Sequence, residues 1–127
     1  MAADRRGRSS TRAAGAHFEV QAELALMRHG LSTVARNFTC RGGELDLVML
    51  DRGTLVFVEV RYRRSSRYGS AAESIGQTKQ ARLLRAAQIF LLRNAQFADY
   101  PCRFDVVALS GNPARPEMDW IAGAFSA

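Results

Sequence analysis

Residues 43–63 contain two runs of strand-forming residues, in which polar and apolar side chains alternate at the ends. Residues 45–50 and 55–61 form these runs, and turn-forming residues at positions 51–54 separate them. Strong β-forming residues on both sides of a glycine-containing break predict a β-hairpin. We therefore expect the two runs to pair as antiparallel strands.

The register of this hairpin decides which side chains share a face of the sheet. A loop of two or four residues places Asp46 across from Glu59 and Val48 across from Phe57. The opposite face then carries only apolar side chains, which are Leu45, Leu47, Met49, Val56, Val58 and Val60. A three-residue loop would put acids on both faces, because a slip of one residue exchanges the faces of a strand. The pattern favours the first register.

Apolar residues at helical spacing predict two helices. The first covers residues 11–29 and stops at Gly30, a residue that suits the left-handed conformation after a helix. Its apolar stripe consists of Phe18, Ala22, Ala25 and Leu26. The second covers residues 77–93, and its stripe consists of Leu83, Ala87, Phe90 and Leu91.

Three further segments predict strands. Residues 31–38 precede the hairpin, residues 103–109 follow the second helix, and residues 118–125 add an edge strand. The predicted order is α-β-β-β-α-β(-β), which gives an α/β fold with a mixed sheet flanked by helices. Residues 1–12 read as a basic disordered arm, and residues 13–127 as a single domain.

Composition narrows the class of partner. The net charge is +6, from 18 basic and 12 acidic residues, and a basic chain favours a polyanion such as nucleic acid. All the basic residues except Lys79 are arginine, so genome composition is an alternative explanation of the charge. No apolar run approaches about 20 residues, which predicts that the chain does not enter a membrane. Arg5 and Arg6 lack a following apolar core, so we expect no secretory signal. We expect a cytoplasmic protein.

The paired acids of the hairpin carry the candidate chemistry. Two carboxylates directly opposed on neighbouring strands repel each other, and one of them should retain a proton at a higher pH than usual. A divalent cation between Asp46 and Glu59 removes this repulsion, and Mg²⁺ is typically held by one or two carboxylates. Arg61 projects from the same face and could contact a phosphate. The alternative is a solvated sheet face with ordinary surface charges.

Other polar positions have structural interpretations. Asp105 is expected to pair with a nearby arginine, and Asn37 to stabilise the bend before the hairpin. Cys40 and Cys102 lack the spacing of a zinc site or of a disulfide framework, so we expect two buried or half-buried thiols. Glu19 adjoins the apolar stripe of the first helix, from which it could reach Asp46.

Ordered sequence blocks resemble the small bacterial YraN-like family over residues 15–109. These blocks are G-x-x-x-E, A-R-N, G-E-L-D-L-V, L-V-F-V-E-V-R-Y-R, K-x-x-R-L and R-F-D-V-V. An aspartate followed at hairpin distance by E-V-R also resembles the D…(E)-x-K core of the PD-(D/E)XK nuclease superfamily. The resemblance implies a restriction-endonuclease-like fold, related to that of Holliday-junction resolvases, without establishing an activity.

The resemblance also implies roles for individual residues. Asp46 and Glu59 would bind Mg²⁺ or Mn²⁺ together with the backbone carbonyl of Val60, and Glu19 would be an accessory catalytic acid. Arg61 stands where the superfamily usually has lysine. Because arginine does not lose its proton in proteins, Arg61 cannot be a general base, but it could stabilise the charge of an attacked phosphodiester.

Basic and aromatic residues near this site predict a nucleic-acid interface. They are Arg63, Arg64 and Arg67 with the aromatic residues Tyr62 and Tyr68 in the loop of residues 62–70, together with Gln77 and Lys79 at the start of the second helix. We expect a metal-dependent nuclease that hydrolyses DNA, with branched DNA as the substrate implied by the resemblance to resolvases. A homodimer fits this resemblance, since two active sites are needed to cut paired strands. The alternatives are a non-catalytic nucleic-acid-binding protein on the same fold and a protein-interaction adaptor.

Overall fold

The computed structural model describes residues 2–64 and 75–126, with side chains described from residue 15 onward. Its elements are α1 (Ala2–Arg28), β1 (Ser32–Cys40), β2 (Gly43–Asp51), β3 (Thr54–Arg63), α2 (Gln77–Arg93), β4 (Cys102–Ser110) and β5 (Glu117–Phe125). A short 3-10 helix, Ala95–Phe97, follows α2. The predicted order of elements is confirmed, including the last strand. In these ranges no helix is long and apolar enough to cross a membrane.

The five strands form one mixed sheet in the order β1-β2-β3-β4-β5. Strands β3 and β4 are parallel and are joined through α2, whereas the other neighbours are antiparallel. The buried residues divide into two clusters, one between the sheet and α1 and the other between the sheet and α2. We call the two sides of the sheet the α1 face and the α2 face. The α/β fold class with flanking helices is confirmed.

The predicted hairpin register is confirmed. Val48 pairs with Phe57, and the two strands close at Asp51 opposite Thr54. The two residues between them, Arg52 and Gly53, both have positive φ angles, of 52° and 85°. Such a turn matches the twist of the flanking strands, and the two-residue loop fixes the register.

One apolar side chain lies on the face opposite to the predicted one. Leu45 packs in the cluster of the α2 face with Val48, whereas Leu47 and Met49 pack in the cluster of the α1 face, as predicted. Strict alternation would have put Leu45 on the side of Leu47. The alternation therefore breaks at Asp46, where the pairing of β2 with β3 ends at Leu47 and Val58.

Helix α1 begins earlier than predicted. It starts at Ala2 rather than at residue 11, and its early alanine and arginine residues have high helix propensity. The division into an arm of residues 1–12 and a domain of residues 13–127 stays a prediction. Helix α2 has the predicted bounds, and its buried residues include Leu83, Ala87 and Phe90.

Asp105 has the structural role that the sequence predicted. Its buried carboxylate accepts hydrogen bonds from Arg103 Nε at 3.0 Å, from Trp120 Nε1 at 2.9 Å and from the Gly123 backbone N–H at 2.9 Å. Arg103 also pairs with Asp51 at 2.8 Å. This network joins β4 to β5 and to the end of β2.

The two cysteines differ in exposure. Cys40 is half-buried, as predicted, but Cys102 is exposed. The expectation of a buried thiol was wrong at Cys102 because this residue begins β4 at the end of the sheet.

Gly43 allows the hairpin to approach α2 closely. A Cβ atom at this position would lie 2.6 Å from the Arg82 carbonyl oxygen and 3.3 Å from Ala86 Cβ. We expect Gly43→Ala to lower the free energy of unfolding by about 1–3 kcal/mol, as overpacking usually does. Urea denaturation would measure this change. Gly76→Ala is the matched control, since a Cβ there meets nothing within 4 Å, and equal stability of the two variants would contradict the expectation.

Candidate metal centre

Two buried carboxylates lie next to each other beyond the end of the β2–β3 ladder. The last pair is Leu47 with Val58, and beyond it the charge of Asp46 still acts on Glu59 and raises its pKa. The two acidic residues are only 7% and 8% exposed. The structure thus brings together the two residues that the sequence predicted as metal ligands.

Asp46 is held in place by the backbone of β3. Its Oδ2 accepts a hydrogen bond of 2.8 Å from the Val60 backbone N–H. This bond takes up one carboxylate oxygen and explains how the aspartate is oriented where the strands stop pairing. The predicted role of the Val60 carbonyl as a ligand stays a prediction.

Glu19 reaches the same place from α1, on the other side of the sheet from α2. Its side chain hydrogen-bonds with Asp46 and with Asn37, and its pKa is raised to about 7. Burial is the main cause of this rise, followed by the negative charge of Asp46. Since Glu19 retains a proton near neutral pH, it can donate the hydrogen bond that it shares with Asp46.

Asn37 belongs to this site, although the sequence suggested only a role in the bend. It lies within β1 with a φ angle of +50°, a conformation that asparagine tolerates better than most residues. Arg36 pairs with Leu47 and Phe38 with Leu45, so Asn37 stands beside Asp46. The A-R-N block was the available signal, but only the fold shows that it meets Glu19.

Burial is the main cause that raises the pKa of both acids. The pKa of Glu59 rises to about 7, mainly through burial and then through the charge of Asp46. The pKa of Asp46 is also raised by burial and, to a smaller degree, by Glu44, while the Val60 N–H lowers it. The pair therefore carries the electrostatic cost that the hairpin pattern predicted.

Two basic side chains act on these acids. Lys79 Nζ lies 3.5 Å from Glu59 Oε1, and the charge of Lys79 lowers the pKa of Asp46 and of Glu59. Arg61 also lowers the pKa of Glu59, which places its guanidinium near the pair. Lys79 was predicted to contact phosphate, and its ion pair with Glu59 was not foreseen.

The chemistry of the donor set fits Mg²⁺ or Mn²⁺. Both ions prefer oxygen ligands, and Mg²⁺ commonly takes one or two carboxylates and completes its shell with water and phosphate. Asp46 and Glu59 supply such a pair. Within residues 15–64 and 75–126 no group of three or more His, Cys, Asp or Glu side chains could hold a metal ion. A pair of carboxylates fits an ion that keeps solvent and substrate ligands.

A groove of about 440 Å³ borders the centre, between the β1–β2 turn and the start of α2. Its lining consists of Thr39, Cys40, Gly42, Gly43, Glu44, Lys79, Arg82 and Leu83. Basic side chains from α2 thus face the backbone of a glycine turn across a space open to solvent.

The predicted nucleic-acid contacts have different surroundings. Arg64 and Gln77 are exposed, and Arg63 is half-buried near the end of β3. Arg67 and Tyr68 lie outside the described residues. The roles of these five residues stay predictions.

Tyr62 does not belong to the predicted loop. It lies in β3, where its ring stacks on Phe18 with centroids 4.1 Å apart, and its hydroxyl donates a hydrogen bond to the Gly111 carbonyl. The interpretation of Tyr62 as an aromatic residue of a binding loop was wrong, because its ring is part of the packing of α1 on the sheet.

Glu23 is a buried acid that links α1 to the edge of the sheet. Its carboxylate accepts hydrogen bonds from Arg36 Nε at 2.9 Å and from Thr33 Oγ1 at 2.5 Å. The Arg36 guanidinium is the main cause of its lowered pKa. Glu23 lies one helical turn after Glu19, yet the pKa values of the two glutamates are shifted in opposite directions, because Glu23 faces Arg36, whereas burial and then the charge of Asp46 act on Glu19.

The raised pKa values predict how stability depends on pH. The pKa of Glu59 is about 7 in the folded chain against an ordinary 4.5, so folding favours its protonated form. The stabilisation is complete below the ordinary pKa and is lost as the pH rises through 7. We expect the metal-free protein to be less stable towards urea at about pH 8 than at about pH 5. Glu59→Gln should reduce this difference, and an unchanged pH dependence in that variant would contradict the assignment.

Three curated relatives are similar to the chain over nearly its whole length. A UPF0102 protein of Pseudomonas savastanoi pv. phaseolicola is 50% identical over 119 residues, which are 93% of this chain and 97% of the relative. UPF0102 proteins of Stutzerimonas stutzeri and Saccharophagus degradans are 47% and 46% identical and cover 92% and 88% of the chain, or 98% and 92% of the relatives. A family model described as "Uncharacterised protein family UPF0102" matches residues 18–109. The chain belongs to this family, which is the YraN-like family that its sequence blocks resemble, and that resemblance is confirmed.

Proposed function

We propose that the protein is a metal-dependent nuclease that hydrolyses phosphodiester bonds in nucleic acid. The observation that carries this proposal is the pair of buried acids Asp46 and Glu59, which have raised pKa values and basic side chains beside them. A pair of this kind is costly for the metal-free fold. A bound cation would remove this electrostatic cost, and the same cation would polarise a phosphate of the substrate.

Each residue of the site has a distinct role in this proposal. Asp46 and Glu59 hold Mg²⁺ or Mn²⁺, and the ion supplies activation of water and polarisation of the phosphate oxygen. The Val60 N–H orients Asp46. Glu19 holds a proton near Asp46 and orients the carboxylate or the attacking water. Arg61 offsets the negative charge that develops on the phosphate, since it cannot accept a proton.

The substrate we propose is DNA, branched DNA in particular, on the basis of the likeness to resolvases. The groove beside Lys79 and Arg82 offers a path for a strand past the acids. Arg64 directly follows β3 and Gln77 begins α2. Both residues are exposed, so they could contact phosphates. Cutting both of two paired strands needs two active sites, so we propose a homodimer. We also propose a cytoplasmic location.

The second candidate is a nucleic-acid-binding protein that does not cut. Two observations favour it: Arg61 replaces the usual lysine, and the described part of the chain holds no cluster of three metal-ligating side chains. Such a protein would retain salt-sensitive affinity for nucleic acid without turnover.

A cleavage screen separates the two candidates. Branched, duplex and single-stranded DNA and RNA would be incubated with the protein in Mg²⁺, in Mn²⁺ and in EDTA. The nuclease proposal expects products that require the metal and that are absent with Glu59→Gln. Salt-sensitive binding without products would establish the binding protein instead, and a lack of any affinity at low salt would contradict both.

A further inference from the structure

Lys79 is the only lysine in a chain whose other cationic side chains are arginines and two histidines. Its ammonium lies 3.5 Å from Glu59 Oε1, and its side chain is 44% exposed whereas that of Glu59 is 10% exposed. The charge of Lys79 also reaches Asp46. One flexible cation thus acts on both acids of the candidate metal centre.

The same side chain lines the neighbouring groove, together with Arg82 and the turn at Gly42 and Gly43. Lysine carries a compact charge on a long stem with several rotatable bonds, so the ammonium can turn from the acids towards the groove. Two different surroundings are therefore within reach of one side chain.

The start of α2 gives Lys79 no other anionic partner among the described residues of that turn. The helix has no acid in its first turn and no side-chain cap at Gly76. A cation in the first turn is disfavoured by the positive end of the helix dipole. The contact with Glu59 is what offsets this cost in the metal-free protein.

We propose that Lys79 is an internal counter-ion that occupies the metal centre in the absence of metal and moves to a phosphate of the bound strand when the metal enters. This inference rests on the proposed function, because it requires both a cation and a nucleic-acid strand. Metal and strand then favour each other's binding. The metal replaces the Lys79 ammonium at the acids, and a phosphate of the strand binds the ammonium that the metal has displaced.

Mn²⁺ affinity of the intact protein, measured by calorimetry without nucleic acid, tests the counter-ion. Lys79→Met removes the competing charge and should bind Mn²⁺ about fivefold more tightly, which is the upper end of what a partly exposed ion pair contributes. Arg82→Met is the matched control, because it removes a charge from the same groove and leaves the ion pair of Lys79 with Glu59 in place. Its Mn²⁺ affinity should stay within about twofold of wild type.

A short phosphorothioate oligothymidine tests the movement. In wild type this strand should tighten Mn²⁺ binding, and the gain should be smaller in Lys79→Met. Because the chain has one lysine, ¹³C-lysine labelling gives a single side-chain Cε signal, which should shift with Mg²⁺ and shift again with the strand.

The outcomes distinguish the inference from the proposed function. Equal or weaker Mn²⁺ binding by Lys79→Met, or a lysine signal that Mg²⁺ leaves unchanged, would overturn the inference and leave the metal centre standing. A wild-type protein that binds no Mn²⁺ at millimolar concentration would overturn the metal centre and the inference together.

Discussion

Asp46→Asn is expected to abolish metal-dependent cleavage and to weaken Mn²⁺ binding by at least about 100-fold, more than the loss of a partner outside the ligand shell usually costs. The variant should nevertheless fold. An asparagine oxygen can still accept the hydrogen bond from the Val60 N–H, and the loss of one negative charge relieves the repulsion that raises the pKa of Glu59. We therefore expect the variant to be as stable as wild type in EDTA, or more stable.

This combination of effects identifies a functional acid. Replacing a carboxylate that served only the fold would lower the stability of the protein. Replacing a functional residue often raises it, because the strain of the site is removed. The measurements are calorimetric titration with Mn²⁺, cleavage of the best substrate from the screen, and urea denaturation in EDTA. Asp119→Asn, at an exposed position of β5, is the control for loss of one charge. Unchanged Mn²⁺ affinity in Asp46→Asn would remove Asp46 from the metal centre.

Asp105→Ala is expected to have the largest effect on stability, a loss of about 3–5 kcal/mol, which is typical when one partner of a buried charge pair is removed. The aspartate is fully buried. Its removal leaves the Trp120 indole N–H and the Gly123 backbone N–H without this acceptor, and Arg103 keeps only its contact with Asp51. The Trp120 residue is half-buried, so its indole N–H loses a hydrogen bond where water replaces it only in part.

Urea denaturation measures this loss, and Asp119→Ala gives the matched exposed control, for which we expect a change of less than about 0.5 kcal/mol. Mn²⁺ affinity serves as a second readout. Asp105→Ala should bind Mn²⁺ like wild type under conditions in which it remains folded. A stable Asp105→Ala variant with weakened metal binding would show that Asp105 acts as a ligand rather than as a link between β4 and β5.

The hairpin was predictable because a single physical rule decides it. Side chains alternate along a strand, so only one register keeps the apolar residues together and brings Asp46 opposite Glu59. The rule failed at Leu45, since the alternation holds only where the strand stays paired. The place where it failed is the place where Asp46 leaves the ladder to accept a bond from Val60.

The periodicity of the chain determined by itself the order of the elements, the bounds of α2 and the register of the hairpin. The tertiary structure decided the rest: that Asn37 and Glu19 meet Asp46, that Lys79 pairs with Glu59, and that Tyr62 packs inside. Local patterns arise from neighbours along the chain, and they report which face a side chain takes. Contacts between a helix and a strand depend on how the elements dock, and spacing along the chain carries no record of that docking.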